Sequence, residues 1–178
     1  MKRQYIFTLA AALLAAPASY AQFAATGTTT LSVTVSAEAA LSVTTSTTTL
    51  AAVGTIFNPY TGTTNLTYKI RTTQSTGTGS ITLKVTSDFS PANGPSVTTP
   101  PTAGDALTYT CTVAAPGTAC SGSITSSTSS STSVATFGSA ASSGNSGNAA
   151  STAWSLTNDP VYHTGAYSAT VTYTISAT

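Results

Sequence analysis

The chain has 178 residues, of which five are Lys or Arg, four are Asp or Glu and one is His. Charged residues make up 5% of it and the formal net charge is +1. So small an inventory of general acids, bases and ligands argues against catalysis and against a bound metal or cofactor. It also excludes the dense positive charge that nucleic-acid binding needs.

Met1 to Ala21 reads as a secretory signal peptide. Lys2 and Arg3 give the basic start, Ile6 to Ala16 the apolar stretch, and Ser19-Tyr20-Ala21 the small residues that place cleavage before Gln22. The apolar run is too short for a membrane span and is closed by Pro17. No second hydrophobic segment follows, so the expectation is a secreted chain with no membrane span after the signal is removed. Only Lys69, Arg71, Lys84, Glu38, Asp88, Asp105 and Asp159 then carry charge, with His163 the one histidine.

Beyond residue 21 helix formers are scarce, β-branched Thr and Val are abundant, and period-two alternation recurs. Residues 22–37 form an N-terminal segment in which Leu31, Val33, Val35 and Ala37 make an alternating stripe. That stripe has two readings: a first strand paired within its own chain, or a strand given to a neighbouring molecule. Residues 38–178 are expected to fold as one β-sandwich. Within them Leu66, Tyr68 and Ile70 predict one strand and Ile81, Leu83 and Val85 the next, with Gly77-Thr78-Gly79 as a hairpin connection. Leu107, Tyr109, Cys111 and Val113 predict another. Leu41 to Thr44, Cys120 to Ile124, Val134 to Phe137 and Trp154 to Thr157 are weaker candidates. The clearest strand is the last, where Tyr167, Ala169, Val171, Tyr173, Ile175 and Ala177 alternate with Ser and Thr. Of these Tyr167, Val171, Tyr173 and Ile175 are expected to face the core.

Two stretches read as loops. Ser87 to Gly104 carries four prolines, and Ser139 to Ser151 is a Ser/Gly/Asn/Ala-rich stretch expected to be a mobile surface excursion. Thr125 to Ser133 is an unbroken Ser/Thr run, compatible with a linker, an O-glycosylated patch or an exposed strand. Seven to nine short strands separated by turn signals predict an all-β, antiparallel, immunoglobulin-like sandwich.

Cys111 and Cys120 enclose a short loop with Pro116-Gly117 at its centre, and outside the cytoplasm a disulfide across a hairpin is the expectation. His163 with Asp159 could be assembled into a hydrolytic site, but no Gly-x-Ser-x-Gly elbow is present and a turn-region histidine is the simpler reading. Asn158 and Asp159 offer oxygen ligands, too few for calcium. Lys69, Arg71 and Lys84 fall on outward positions of two strands expected to be neighbours, where charges that keep a Thr-rich sheet apart from its copies are favoured over an anion-binding patch. Asn65-Leu66-Thr67 is a formal N-glycosylation acceptor. Trp154, Phe57, Phe89 and Phe137 are expected in the core.

The C-terminal run Gly165-Ala-Tyr167-Ser-Ala-Thr-Val171-Thr-Tyr173-Thr-Ile175 resembles the final strand of secreted fimbrial subunits of the spore coat protein U and Csu pilin type. Val35-Ser-Ala37-Glu-Ala-Ala-Leu41-Ser-Val43, with Leu50 and Gly54, is similar to the first strands of that group. The early cysteine common there has no counterpart, Ala39 or Ala40 standing where it would fall. The resemblance implies an incomplete sandwich completed by a donor strand from the next subunit, in a head-to-tail extracellular filament built from copies of itself. A periplasmic chaperone or surface assembly machinery would be the other partner, and attachment or biofilm formation the purpose. Leu31, Val33 and Val35 are then the expected donor-strand anchors. The alternative is a monomeric secreted adhesin or carbohydrate-binding module, which predicts an exposed aromatic row drawn from Tyr60, Tyr162 or Trp154.

Overall fold

The computed structural model describes residues 26–54 and 56–178. The expected signal peptide and its cleavage point lie outside these residues. The chain divides into two units, residues 1–33 and 34–178. Of the first, residues 26–33 are described and contain no regular secondary structure.

The second unit is an all-β sandwich of ten antiparallel strands, with no helix among the described residues. They are β1 (Glu38–Val43), β2 (Ala51–Ala52), β3 (Tyr60–Arg71), β4 (Gly79–Ser90), β5 (Thr108–Val113), β6 (Thr118–Ala119), β7 (Ile124–Thr125), β8 (Thr132–Phe137), β9 (Asn148–Leu156) and β10 (Ser168–Ala177). One sheet runs β1-β3-β9-β5-β7, with β2 also on β3, and the other runs β10-β4-β8-β6. The core lies between them. Thr64, Leu66, Tyr68 and Ile70 of β3 and Ile81, Leu83 and Val85 of β4 are buried at alternate positions, as the two-residue side-chain period of a strand requires. Ala150, Thr152, Trp154 and Leu156 do the same on β9. Tilted ring contacts at 5.1 Å (Tyr68–Phe137) and 5.3 Å (Tyr109–Trp154) join strands of the sandwich.

The structure corrects several expectations. The Gly77–Gly79 connection does not close a hairpin, because β3 and β4 belong to different sheets. Gly77 is buried there, and a Cβ would meet the Thr73 backbone at 2.3 Å, so the crossing is too tight for any side chain. The Cys111–Cys120 bridge is also not a hairpin clasp: it forms, but it joins β5 of one sheet to the residue following β6 of the other. The Ser139–Ser151 stretch is not wholly a surface loop. Ala141 is buried, Ser142 bridges to Arg71, and β9 begins at Asn148. The Ser/Thr run is divided among β7, a turn in which the Ser127 hydroxyl accepts the Ser129 and Ser130 amides, and β8. Phe57, expected in the core, is 54% exposed on the loop between β2 and β3 with a φ of 55°.

An open sandwich edge as the candidate assembly site

A two-layer sandwich needs both long edges closed if the whole core is to be dry. At the β5–β7 and β6–β8 side the disulfide ties the layers together. At the opposite side β1 ends one sheet, β10 ends the other, and the two lie against each other with no strand beyond either among the described residues. Each therefore has one row of main-chain groups without a ladder partner, the feature that makes an edge strand a template for another chain.

Side-chain burial follows from that geometry. The inward positions of β10 (Ala169, Val171, Tyr173, Ile175 and Ala177) pack on the core but all remain half-buried, as do Ala39 and Leu41 of β1. The equivalent positions of β3 and β4, each flanked on both sides, are buried. An apolar stripe the length of β10 thus stays open to solvent. Of the expected core-facing residues, Val171, Tyr173 and Ile175 line this stripe. Tyr167 precedes β10 instead, and its hydroxyl donates to the His163 carbonyl at 2.7 Å.

The floor of the open edge is polar where Tyr173 crosses it. The Tyr173 hydroxyl lies 2.6 Å from Thr152 Oγ1, which is fully buried on β9. Nearby, Trp154 Nε1 donates to Thr64 Oγ1 at 2.9 Å, and Thr64 Oγ1 is 2.6 Å from Thr48 Oγ1. Burial raises the Tyr173 pKa, against the smaller lowering effect of its hydrogen bonds, so the phenol stays protonated and available as a donor.

Residues 34–37 lead into β1 without joining a strand; the Arg71 Nε–H donates to the Ser36 carbonyl at 2.8 Å, and the guanidinium pairs with Glu38 at 3.1 Å. The Leu31–Ala37 stripe is accordingly no strand of its own chain. Leu31 is 92% exposed, Val33 86% and Val35 61%.

The remaining sequence candidates fall elsewhere. His163 is exposed, and its amide donates to the Asn93 carbonyl at 2.9 Å. Asp159 neighbours Asp105, on which its charge acts. Sequence reasoning missed that carboxyl pair. Asp105 is 5% exposed and accepts the Tyr162 hydroxyl at 3.2 Å, while Asp159 accepts the Val161 amide at 2.7 Å. Burial, and then Asp159 beside it, raise the Asp105 pKa; the Thr102 hydroxyl and the Val161 amide lower that of Asp159. The signal available was the rarity of acids, since two of only four sit in turn segments with Gly104 and Pro160 beside them. Among the described residues no three His, Cys, Asp or Glu converge to hold a metal. Of the aromatic row expected of a stacking carbohydrate site, Trp154 is 5% exposed, Tyr60 is half-buried, and Tyr162 is half-buried with its hydroxyl on Asp105. Lys69 and Arg71 on β3 are separated from Lys84 on β4 by membership of different sheets, so the three do not form one patch. Compared with protein-family models, with curated proteins and with solved structures, the chain matches none.

Proposed function

We propose that the protein is a structural subunit of an extracellular filament, assembled when residues 31–35 of one copy add as a strand at the open β1/β10 edge of the next. The observation that carries this reading is the pairing of two opposite defects in one chain. A sandwich edge leaves the β10 stripe half-covered, and an alternating apolar segment stands exposed with no strand partner among the described residues. Strand addition answers both: main-chain bonds complete the ladder, and Leu31, Val33 and Val35 cover the stripe. Each exposed Val or Leu side chain that becomes buried contributes roughly 1.5–3 kcal/mol.

The contact is heterologous, so each terminal subunit keeps either a free donor segment or a free edge, and the assembly grows as a fibre. Low charge suits such a polymer, since Thr-rich outer faces stay hydrated without repulsion between copies. A disulfide between the layers fits a product that leaves the reducing cytoplasm. Chaperone or surface machinery would then be needed to keep the edge covered before assembly.

Changing Leu31, Val33 and Val35 together to Asp tests the reading. Negative-stain electron microscopy should show filaments of the unaltered protein and none of the variant, while the variant's circular dichroism stays that of a folded sandwich. Filaments formed by the triple variant would overturn the donor assignment.

A further inference from the structure

We propose that the outer face of the β1–β3 sheet carries a binding site for a carboxylated sugar, with Lys69 as its charge-recognising group. A depression of about 410 Å³ opens there, bounded by β1 at Glu38–Ala40, by β3 at Lys69–Arg71 and by the turn Ser142–Asn145. That volume lies within the range of small-molecule sites. The site does not depend on strand donation and would be present in a single copy.

Charge placement makes the case. Beyond the expected signal peptide the chain holds three basic residues, and two of them stand two positions apart in this depression. β3 lies between β1 and β9, so a charge on its outer face is not needed to protect a free edge. Arg71 is occupied: it pairs with Glu38 and holds the Ser36 carbonyl. Lys69 is exposed and joins no ion pair among the described residues. Two cations against one carboxylate leave a local charge of +1, which matches a single carboxylate. The Glu38 carboxylate in the same depression disfavours a doubly charged phosphate or sulfate, and the guanidinium fork that would suit such an anion is already engaged.

The far wall supplies the rest of the recognition. The Ser143 amide donates to the Ile70 carbonyl, and the Ser143 hydroxyl accepts the Ile70 amide, both at 2.9 Å. The Gly144 amide donates to Asn148 Oδ1 at 3.0 Å, and Asn148 Nδ2 donates in turn to the Ala115 carbonyl. Gly147, at a φ of 85°, closes the turn against β3. A Cβ there would come within 2.9 Å of the Thr67 methyl and 3.4 Å of the Lys69 stem. The wall is therefore set in place, presenting the Ser142 hydroxyl and the Asn145 amide to solvent beside Lys69. Hydroxyl and amide groups around one cation complement sugar hydroxyls around one carboxylate. No aromatic residue lines the depression, and its one branched aliphatic residue, Ile70, is buried in the core, so no apolar pocket is offered to a peptide side chain.

The test is a nuclear magnetic resonance titration of the folded protein with galacturonate oligomers. Neutral galactose oligomers, hexaglutamate and inorganic phosphate serve as competitors in separate titrations. The expected result is saturable shifts at Lys69, Arg71 and Ser142–Asn145 with the galacturonate oligomers alone. Affinity should fall about tenfold in Lys69→Gln and stay unchanged in Lys84→Gln, which lies on the other sheet. Equal binding of hexaglutamate or phosphate, equal losses in the two variants, or no shifts at these residues would each overturn the assignment. Should Lys69→Gln fail to fold, the unaltered protein still decides the matter through the competitor titrations.

Discussion

Asp88 shows how much a single carboxylate does in a chain with four acids. Burial alone would raise its pKa, but the amides of Val97 and Thr98, the Ser96 hydroxyl and the Phe89 amide outweigh it and hold the group down to about 2. These bonds pin the proline-rich loop after β4 to the end of that strand. Because the folded value is depressed below 3.8, the contribution is complete above that pH and is lost as pH falls from 3.8 through about 2. The shift sets a ceiling of about 2 kcal/mol, and screening at this half-exposed position leaves about 1. Acid titration of the melting temperature should show that loss in the parent and a lower, flatter profile in Asp88→Asn. Asp105 acts in the opposite sense. Its raised pKa gives a contribution present below the ordinary carboxylate value and lost as pH rises through the folded one. Asp105→Asn should therefore remove a decline in melting temperature on the alkaline side of the usual carboxylate range. At the open edge, Tyr173→Phe leaves Thr152 Oγ1 without its partner in a fully buried position. Chemical denaturation should register a cost of about 1–3 kcal/mol.

At the scale of elements, the two-residue period was legible wherever a strand is flanked on both sides. Leu66-Thr-Tyr68-Lys-Ile70 and Ile81-Thr-Leu83-Lys-Val85 have only one way to bury their apolar face, and the structure buries it. Partnership was not legible. Alternation says which side chains point inward but not which sheet they join, so β3 and β4 read as a hairpin although they face each other across the core. The same blindness placed the disulfide on a hairpin and merged Lys84 with Lys69 and Arg71. Phe57 misled for another reason: its size suggests burial, but its left-handed backbone is fixed locally, where Asn58 Nδ2 bonds the Val53 carbonyl at 2.9 Å. The Asp105–Asp159 pair joins loops more than fifty residues apart, a distance no local pattern spans. Cys111–Cys120 closes the side of the sandwich opposite the open edge. Reduction, or replacement of both cysteines by Ala, should lower stability by about 2–3 kcal/mol for so short a loop. The strand pattern in the circular dichroism spectrum should be unaltered, because β5 and β8 keep their ladders with β9 and β4.

For the whole sandwich, one side is closed and the other open among the described residues, and that asymmetry would give the proposed assembly a direction. β1 begins at the end where β3 finishes with Arg71, and β10 begins at the end where β4 finishes with Ser90. A donor running antiparallel to β10 would leave the groove at the Ser168 end, with only Ser36 and Ala37 between Val35 and the β1 strand of its own subunit. The next sandwich must then follow closely, its Arg71 end facing the Ser168 end of the first. Of this arrangement, the apolar stripe at 31–35 was visible in the sequence; the edge that would accept it was not, because an edge is a property of sheet order.

The most direct measurement places a photo-crosslinking phenylalanine analogue at Val33 in a mixture of isotopically light and heavy protein, with crosslinked peptides mapped by mass spectrometry. Strand donation predicts mixed light–heavy crosslinks from position 33 to β1 and β10. Crosslinks confined to single copies, or directed to other surfaces, would contradict it.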